Sequence, residues 1–242
     1  MKSSELSAIK KSGEINRQVM AALFEFAKPG VSLLELDGLS EKMIRQKNAS
    51  PSFKGYNGFP ASICTNINST LIHGIPTNYQ LKEGDILTID QGVFFDGYHS
   101  DHALTRVIGK PLAKQELFLK AGEKALEAAI FQAISGNRVG DISFAISQTI
   151  EYAGFFVVKD YVGHGVGKKI HQSPNIPCYG KAGTGSLLKE NDTLAIEVMY
   201  TDLPTDLTIG KDGWTVETKS ANIAALFEKT VLVRREGALV LT

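Results

Sequence analysis

Leu81-Lys-Glu-Gly-Asp-Ile-Leu-Thr-Ile-Asp90 and Leu188-Lys-Glu-Asn-Asp-Thr-Leu-Ala-Ile-Glu197 are near copies of one another within one chain. Six of the ten positions are identical, and each copy ends on a carboxylate. A turn signal in each copy, Gly84-Asp85 or Asn191-Asp192, precedes a short apolar run that is typical of a strand. The repeat therefore predicts two similar halves, each of which brings an acidic side chain to one centre.

The elements around the two copies also recur in the same order. Hydrophobic periodicity and helix breakers predict helices at about residues 4–27, 33–46, 112–134 and 141–153. Ser32 and Glu35 have the spacing of a capping box for the second helix. Short strands follow each helix pair, with hairpin signals at Asp96-Gly97 and Glu236-Gly237. We therefore expect a duplicated, pseudo-twofold α+β fold in one domain over residues 1–242, with halves at about 1–110 and 111–242.

The composition argues against several classes of protein. The chain has 26 Lys and Arg and 26 Asp and Glu, so no charge imbalance favours nucleic acid or an anionic membrane as a partner. No apolar run approaches the roughly 18 residues of a membrane span, and the N-terminus lacks the apolar core of a signal peptide. Cys64 and Cys178 have no paired spacing, so neither a disulfide framework nor a zinc knuckle is expected. These features predict a cytoplasmic protein.

The Asp96-Gly97 turn allows the register of its hairpin to be counted. With a two-residue loop, Asp101 lies opposite Gly92, and Asp90 lies two residues farther along the same face. Such diagonal neighbours are roughly 7–8 Å apart at Cα, and their like charges repel unless a cation lies between them. The alternative is a pair of solvated aspartates near a turn, against which the apolar neighbours of Asp90 argue.

Two further carboxylates and one histidine complete a candidate metal site. Glu197 and Glu228 each end an apolar run, where burying an unpaired carboxylate is costly; the alternative is a strand-end residue that turns toward water. His164 lies between Gly163 and Gly165, although a lone histidine there is more often a hydrogen-bonded structural residue. Four carboxylates and an imidazole suit Mn²⁺, Fe²⁺ or Co²⁺ and are enough to bridge two ions roughly 3.5–4 Å apart.

Several motifs, in order along the chain, resemble those of the type I methionine aminopeptidases. They are Asn66-Ile-Asn-Ser-Thr-Leu-Ile-His73-Gly-Ile-Pro76, Gly84-Asp-Ile-Leu-Thr-Ile-Asp90, Gly97-Tyr-His-Ser-Asp101, Gly163-His-Gly-Val-Gly167, Ile196-Glu197 and Phe227-Glu228-Lys-Thr230. The fold of that family is a duplicated α+β domain called the pita-bread fold, which agrees with the internal repeat. The resemblance implies a metal-dependent hydrolase, an aminopeptidase that removes the initiator methionine from nascent proteins and peptides.

The resemblance also implies a role for each matching residue. Five positions correspond to the ligands of two divalent metal ions: Asp90, Asp101, His164, Glu197 and Glu228. Asp101 and Glu228 would bridge both ions, and a metal-bridging water or hydroxide would attack the scissile carbonyl while Glu197 carries its proton. His171, otherwise a solvated loop residue, would hydrogen-bond the substrate carbonyl oxygen, and His73 would contact the scissile amide nitrogen. The free α-amine of the substrate would complete the coordination of one ion.

By position, a small apolar pocket for the methionine side chain would draw on Tyr56, Phe59, Cys64, Ile170 and Trp214. For Phe59 and Ile170 an ordinary place in the hydrophobic core is an equal alternative. Trp214 lies in the turn-like segment Asp212-Gly-Trp-Thr215, where a large aromatic side chain favours the wall of a cleft. The soft sulfur of Cys64 would suit a thioether.

The chain departs from the family pattern at several positions. Val198 replaces a proline after one glutamate ligand, and Lys229 replaces a histidine after the other. His102-Ala103 replaces Thr-Ser, and Gly92 replaces a small hydroxyl residue near the metals. In a strand, Lys229 points away from the face of Glu228, so we expect it to spare the metal site. Gly92 and His102 are expected to influence metal affinity or rate.

Two alternative functions remain open from the sequence. A proline-specific aminopeptidase or dipeptidase has the same fold but usually carries an extra N-terminal domain, which we do not expect here, and His73-Gly-Ile-Pro76 favours the methionine enzyme. A non-catalytic peptide-binding module typically lacks the metal ligands, whereas all five positions are filled here. The family role implies N-terminal Met peptides, nascent chains and the ribosome as partners, and we expect a monomer that binds neither nucleic acid nor membrane.

Overall fold

The computed structural model describes residues 2–242 and has the α+β architecture that the repeat predicts. Its α-helices are α1 (Ser3–Phe26), α2 (Leu33–Gln46), α3 (Ala113–Gln132) and α4 (Val139–Tyr152), each within two residues of its predicted bounds. The Ser32 hydroxyl accepts a hydrogen bond from the Glu35 amide, and the Glu35 carboxylate accepts one from the Ser32 amide, which confirms the capping box. Within the described range, no helix combines the length and the hydropathy that a membrane crossing requires.

The strands of residues 2–242 form three antiparallel sheets. In the first, β4 (Ile86–Phe95) pairs with β1 (Ser50–Pro51), β2 (Ile63–Ile67) and β5 (Tyr98–Val107). A small sheet contains β3 (Thr70–Ile72), β10 (Leu207–Ile209) and β11 (Val216–Thr218). The third contains β6 (Phe156–Val157), β7 (Val162–Gly165), β8 (Gln172–Pro177), β9 (Thr193–Thr201), β12 (Ala224–Leu232) and β13 (Leu239–Val240). Its order is β13-β12-β9-β7-β8, with β6 also paired to β9.

The first of the two copied segments forms a tight turn that enters β4. Gly84 has a φ of 85°, in the left-handed region that glycine adopts at little cost. The Asp85 carboxylate accepts a hydrogen bond from the Lys82 amide at 2.9 Å. The Gly84 amide donates to the Ile108 carbonyl, and the Ile108 amide donates to the Asp85 carbonyl, both at 2.8 Å. Hydrogen bonds therefore hold this turn both to the Asp85 side chain and to the residue that follows β5.

The second copy repeats these hydrogen bonds at the entrance of β9. Asn191 has a φ of 73°, and the Asp192 carboxylate accepts from the Lys189 amide at 2.8 Å. The Asn191 amide donates to the Val233 carbonyl at 3.0 Å, and the Val233 amide donates to the Asp192 carbonyl at 2.8 Å. The matching bonds confirm that the sequence repeat is a structural repeat.

The two large sheets meet along a seam between β5 and β12. These strands lie side by side, yet no backbone ladder is found between them in the described residues. Threonine hydroxyls provide the links: Thr230 Oγ1 accepts from the Asp101 amide and donates to the Asp101 carbonyl, both at 2.8 Å. In the same way Thr105 Oγ1 donates to the Leu226 carbonyl at 2.6 Å and accepts from the Leu226 amide at 3.3 Å. The seam is thus held by side chains.

An apolar cluster lies between each helix pair and its sheet, and the cluster of the second half also contains Leu71, Ile86 and Ala103 of the first. The α1 helix packs on β4 and β5, and its Ile15 and Val19 are buried together with Ile89 of β4. The α3 helix packs on β9 and β12, with α4 against it, and Ile146 of α4 is buried in one cluster with Ile196 of β9. Fully burying such a side chain stabilises the fold by about 1.5–3 kcal/mol, so each helix pair holds the strands that carry the copied carboxylates.

Candidate active site

The hairpin of β4 and β5 has the register that was counted from the sequence. Asp101 lies opposite Gly92, and Asp90 lies opposite Ala103, so the two aspartates are diagonal neighbours on one face. Asp90 and Asp101 are 8% and 3% exposed. Their burial excludes the alternative of two solvated aspartates.

The second carboxylate pair lies in the middle of the other large sheet. Glu197 on β9 is directly opposite Glu228 on β12. The alternative of a strand-end residue that turns toward water is excluded, because β9 continues through Val198 to Thr201 and β12 continues to Leu232. Like charges directly opposite each other destabilise a sheet, so this pair requires a proton or a cation between its carboxylates.

The side chain of His164 reaches this pair from β7. Its Nδ1 lies 2.9 Å from the Gly165 carbonyl oxygen, which can only accept, so Nδ1 carries the ring proton. The lone pair of Nε2 is then free, and Nε2 lies 3.6 Å from Glu197 Oε1 and 3.8 Å from Asp101 Oδ2. Burial lowers the pKa of His164 to about 4, so the imidazole is neutral near pH 7. The lone pair of this neutral nitrogen therefore converges with two carboxyl oxygens.

Burial also shifts the acid groups of the cluster. It raises the pKa of Asp101 to about 7. It raises the pKa values of Asp90, Glu197 and Glu228 well above their ordinary range, and the negative charge of Asp101 adds to each of these shifts. A divalent cation would reverse these shifts, since it favours the charged form of every carboxylate around it.

The ligand atoms fall into overlapping groups in which all atoms lie within 4.8 Å of one another. The groups are His164, Glu197 and Glu228; Asp90, Asp101 and Glu228; and Asp101, His164 and His171. Two buried carboxylate oxygens, Asp90 Oδ1 and Glu228 Oε1, have no hydrogen-bond partner among residues 2–242. Buried polar atoms normally have partners, and ligand atoms of one ion with bonds of about 2.0–2.2 Å lie about 3–4 Å apart. The residues present therefore fit divalent metal ions.

The two histidines that the resemblance assigns to the substrate lie beside this cluster. His171 Nδ1 is 3.0 Å from the Tyr56 hydroxyl, and its ring centroid is 4.4 Å from that of His164. His73 has a φ of 58°, which is uncommon outside glycine, and its ring meets the Trp214 ring edge-on at 6.4 Å. Burial lowers the pKa of both imidazoles, and for His73 the nearby His171 adds to the shift. Both rings are therefore mainly neutral near pH 7.

A cavity of ≈ 370 Å³ contains the cluster and most of the predicted methionine pocket. Of the pocket residues predicted from the sequence, four line it: Tyr56, Phe59, Cys64 and Trp214. Ile170 is not among the lining residues and is 2% exposed. It packs in one cluster with Phe59, Cys64 and Trp214, so its place in the pocket stays a prediction.

Six further lining residues were not found from the sequence: Phe53, Asn57, Ile72, Asp160, Tyr161 and Val162. Val162 lies two residues before His164 on β7 and therefore faces the same side of the sheet, so the two-residue period of a strand could have identified it. Phe53 and Tyr161 also line the cavity, but both lie outside the strands, where no periodicity reports which way a side chain faces. Their position follows only from the folded chain.

The family departures lie close to the cluster but outside it. As expected, Lys229 points away from Glu228, and its Nζ lies 2.8 Å from His102 Nε2 behind the sheet. Burial lowers the pKa of Lys229 to about 8, with the charge of Arg17 adding to the shift. A Cβ at Gly92 would lie 2.6 Å from the Ser52 Cβ, so no larger residue fits at position 92 unless Ser52 and its neighbours move.

The chain is similar to known proteins over nearly its whole length. The profile of metallopeptidase family M24 matches residues 7–235. A methionine aminopeptidase of Clostridium acetobutylicum is 41% identical over 241 residues, which cover 99% of this chain and 96% of that protein. Methionine aminopeptidase 1 of Bacillus subtilis is 40% identical over 98% of this chain and 96% of its own length.

Solved structures show the same relationship. The structure of methionine aminopeptidase from Thermotoga maritima has a TM-score of 0.98 at 34% identity, over 100% of this chain and 98% of that chain. A prolidase from Pyrococcus furiosus has a TM-score of 0.78 at 25% identity, and the match covers 64% of its length. These comparisons confirm the pita-bread fold. This chain is a member of metallopeptidase family M24 and belongs, within that family, to the methionine aminopeptidases.

Proposed function

We propose that this protein removes N-terminal methionine from peptides and nascent proteins by metal-dependent hydrolysis. The observation that carries the proposal is the pair of ligand groups that share Glu228 inside one cavity. Curated relatives named methionine aminopeptidase, which match nearly the full chain, support the substrate class.

The metal site is assigned to five residues: Asp90, Asp101, His164, Glu197 and Glu228. These residues would hold two divalent ions, with Asp101 and Glu228 as the shared ligands. When bound, the ions supply positive charge that polarises a carbonyl group and lowers the pKa of water to near neutrality. A ligand set of carboxylates with one imidazole favours Mn²⁺, Fe²⁺ or Co²⁺ over ions that prefer sulfur.

Glu197 is assigned the transfer of the proton from water to the leaving amine. Its carboxylate lines the cavity together with the other four assigned ligands, where it would lie within reach of the reacting water. A carboxylate in that position can take the proton from the water and hold it until the amine leaves, as general acid–base catalysis requires.

The histidines position the scissile peptide group. When the Tyr56 hydroxyl donates to His171 Nδ1, the ring proton of His171 lies on Nε2, which can donate to the substrate carbonyl oxygen. His73 lines the same cavity and is assigned the contact with the scissile amide nitrogen.

The methionine side chain is assigned to the apolar part of the cavity. Phe59 and Trp214 meet there edge to face at 5.2 Å between ring centroids. Cys64 is 4% exposed, and burial raises the pKa of its thiol, so the sulfur stays uncharged against a thioether. An apolar pocket next to a centre that binds a free α-amine selects a single N-terminal residue.

The partners follow from this substrate. Initiator methionine is present on nascent chains, so the proposed activity favours a cytoplasmic location near the ribosome. We assign residues 1–242 to one catalytic domain that acts as a monomer, because the ligands of one centre come from both halves of the same chain.

The proposal is tested by incubating the protein, reconstituted with Mn²⁺, Fe²⁺ or Co²⁺, with the peptides Met-Ala-Ser and Ala-Pro-Ser. We expect methionine release from the first peptide only, and its loss in Glu197→Ala but not in Glu127→Ala, a matched change on the exposed face of α3. Cleavage of the proline peptide alone would support the function of the prolidase-like neighbours. No release with any of the three metals would contradict both and favour a peptide-binding module.

A further inference from the structure

The two shared carboxylates lie on strands that no backbone ladder joins. Asp101 belongs to β5 and Glu228 to β12, and these strands face each other across the seam. In a paired sheet, hydrogen bonds would set the separation of such residues. Here the separation depends on the side-chain links of the seam.

One of these links is a direct contact between two side chains. Lys229 Nζ lies 2.8 Å from His102 Nε2. His102 follows Asp101 and Lys229 follows Glu228, so strand alternation places this contact on the opposite face of the sheets, directly behind both shared ligands. The His102 ring is 2% exposed, and its Nδ1 has no hydrogen-bond partner in the part of the chain that the structure describes. Lys229 therefore provides the polar contact that the buried ring makes.

The internal repeat supplies a comparison for this contact. When the two halves are aligned on their copied segments, His102 of the first half is equivalent to Phe227 of the second. Leu104 of the first half is equivalent to Lys229 of the second. Leu104 packs against the core cluster that contains Phe227, so the equivalent place in the seam is apolar. Each residue of the polar pair follows a shared ligand, whereas in the apolar pair Leu104 follows Ala103 and Phe227 precedes Glu228. Both ends of the seam have a threonine link; the end at Asp101 adds the hydrogen bond between Lys229 and His102, where the other end has apolar packing.

We infer that His102 and Lys229 are a pair of positioning residues that hold Asp101 and Glu228 at the separation two metal ions require. Apolar side chains can slide past each other, whereas a buried hydrogen bond has a preferred length and direction. The pair thereby keeps β5 of the first half aligned with β12 of the second without contacting the substrate or the ions. The inference rests on the proposed metal centre.

The test measures Mn²⁺ binding to metal-free protein by calorimetry, together with thermal unfolding of each variant. His102→Phe removes the acceptor, Lys229→Leu removes the donor, and the double variant copies the apolar pair found at the other end of the seam. We expect each single variant to bind the weaker of the two ions about 10- to 100-fold less tightly, as is usual when a residue that orients a ligand is lost. The double variant should lose no more than either single variant, because the two residues act as one unit.

Leu104→Met is the matched control at the equivalent apolar place, and it should leave both affinities unchanged. A purely structural role would lower the melting temperature of the variants while the folded protein bound both ions with wild-type affinity, and this result would overturn the inference. Losses that add in the double variant would also overturn it. If the wild-type protein bound no Mn²⁺, the proposed metal centre itself would fail. Two ions bound with wild-type affinity in every variant would reject the positioning pair alone.

Discussion

The two halves of this chain share a frame but contribute different chemistry. Both copies of the decapeptide form the same turn, and the seam threonines, Thr105 and Thr230, make the same pair of backbone contacts. The ligand positions do not match: Asp90 is diagonal to Asp101, whereas Glu197 is directly opposite Glu228. Duplication therefore explains the scaffold, and later divergence explains the site.

The position of the His164 imidazole also differs between the two halves. Counted from the copied segments, the first-half position that matches His164 is occupied by Asn66. Asn66 Oδ1 accepts a hydrogen bond from the Gly74 amide at 2.8 Å, so this side chain binds a nearby backbone group. In the assigned ligand set, only the second half supplies a nitrogen, while the first half supplies aspartates. A single centre can then combine acidic ligands and a neutral ligand from one repeated scaffold.

The largest expected effect separates the final residues of the two copies. Glu197→Gln should lower kcat by about 10²- to 10⁴-fold even at saturating Mn²⁺, because a general acid–base group is lost. Asp90→Asn should act mainly on metal binding, so raising the Mn²⁺ concentration should recover much of its activity. Steady-state kinetics on a Met-Ala-Ser peptide over a range of Mn²⁺ concentrations would check this. Equal kcat losses at saturation would show that the copies are chemically equivalent.

The next effect concerns protons and compares an acid of the first half with the imidazole of the second. The pKa of Asp101 is raised to about 7, so below that pH a cation must displace its proton; the pKa of His164 is lowered to about 4, so its ring needs no deprotonation above pH 6. Mn²⁺ affinity should therefore rise from pH 6 to pH 8, by up to ~10-fold per pH unit for each proton displaced. Calorimetry in two buffers with different ionisation enthalpies counts the protons. Affinity independent of pH would contradict the assignment.

The seam offers a matched pair of smaller changes. Thr105→Val and Thr230→Val each leave a buried backbone amide and carbonyl without their hydroxyl partner, which should cost about 1–3 kcal/mol of unfolding free energy. The two losses should be similar, but only Thr230→Val should also weaken Mn²⁺ binding, because Thr230 holds the Asp101 backbone. Urea unfolding and a Mn²⁺ titration distinguish the two outcomes. Equal effects of the two variants on Mn²⁺ affinity would show that the seam contact at Asp101 does not position the metal ligands.

The smallest expected difference lies in the two turns. Asp85 accepts from the Lys82 amide, the Tyr79 hydroxyl and the Asn68 side chain, whereas Asp192 accepts from the Lys189 amide. Asp85→Ala should therefore destabilise the protein by about 1 kcal/mol more than Asp192→Ala. Chemical unfolding of the two variants measures this difference. A larger loss for Asp192→Ala would show that the turns are not held by the bonds described.

The sequence was informative wherever the evidence is local. Helix periodicity and the Ser32–Glu35 capping box predicted the helices closely, and the Asp96-Gly97 turn predicted the pairing of Asp101 with Gly92. Such features depend on residues that are near one another in the chain. The internal repeat also allowed a prediction about distant parts of the chain, because similarity between two segments indicates that they have a common structure.

Features that depend on distant contacts could not be predicted. The seam joins residues such as His102 and Lys229, which are 127 positions apart, and neither pattern nor spacing links them. The pairing of Glu197 with Glu228 was missed for the same reason, since an apolar run shows that a strand is buried but not which strand lies beside it. Burial in a core and burial in a pocket wall have the same apolar signature, so the sequence could not separate Ile170, which does not line the cavity, from Phe59, which does.

The central claim is that the two halves converge on one centre for two metal ions. It is tested most directly by soaking crystals of the protein in Mn²⁺ and mapping the anomalous scattering. We predict two peaks, one among His164, Glu197 and Glu228 and the other among Asp90, Asp101 and Glu228, with Asp101 and Glu228 each in contact with both. Peaks elsewhere, or no peak among these carboxylates at saturating Mn²⁺, would contradict the account.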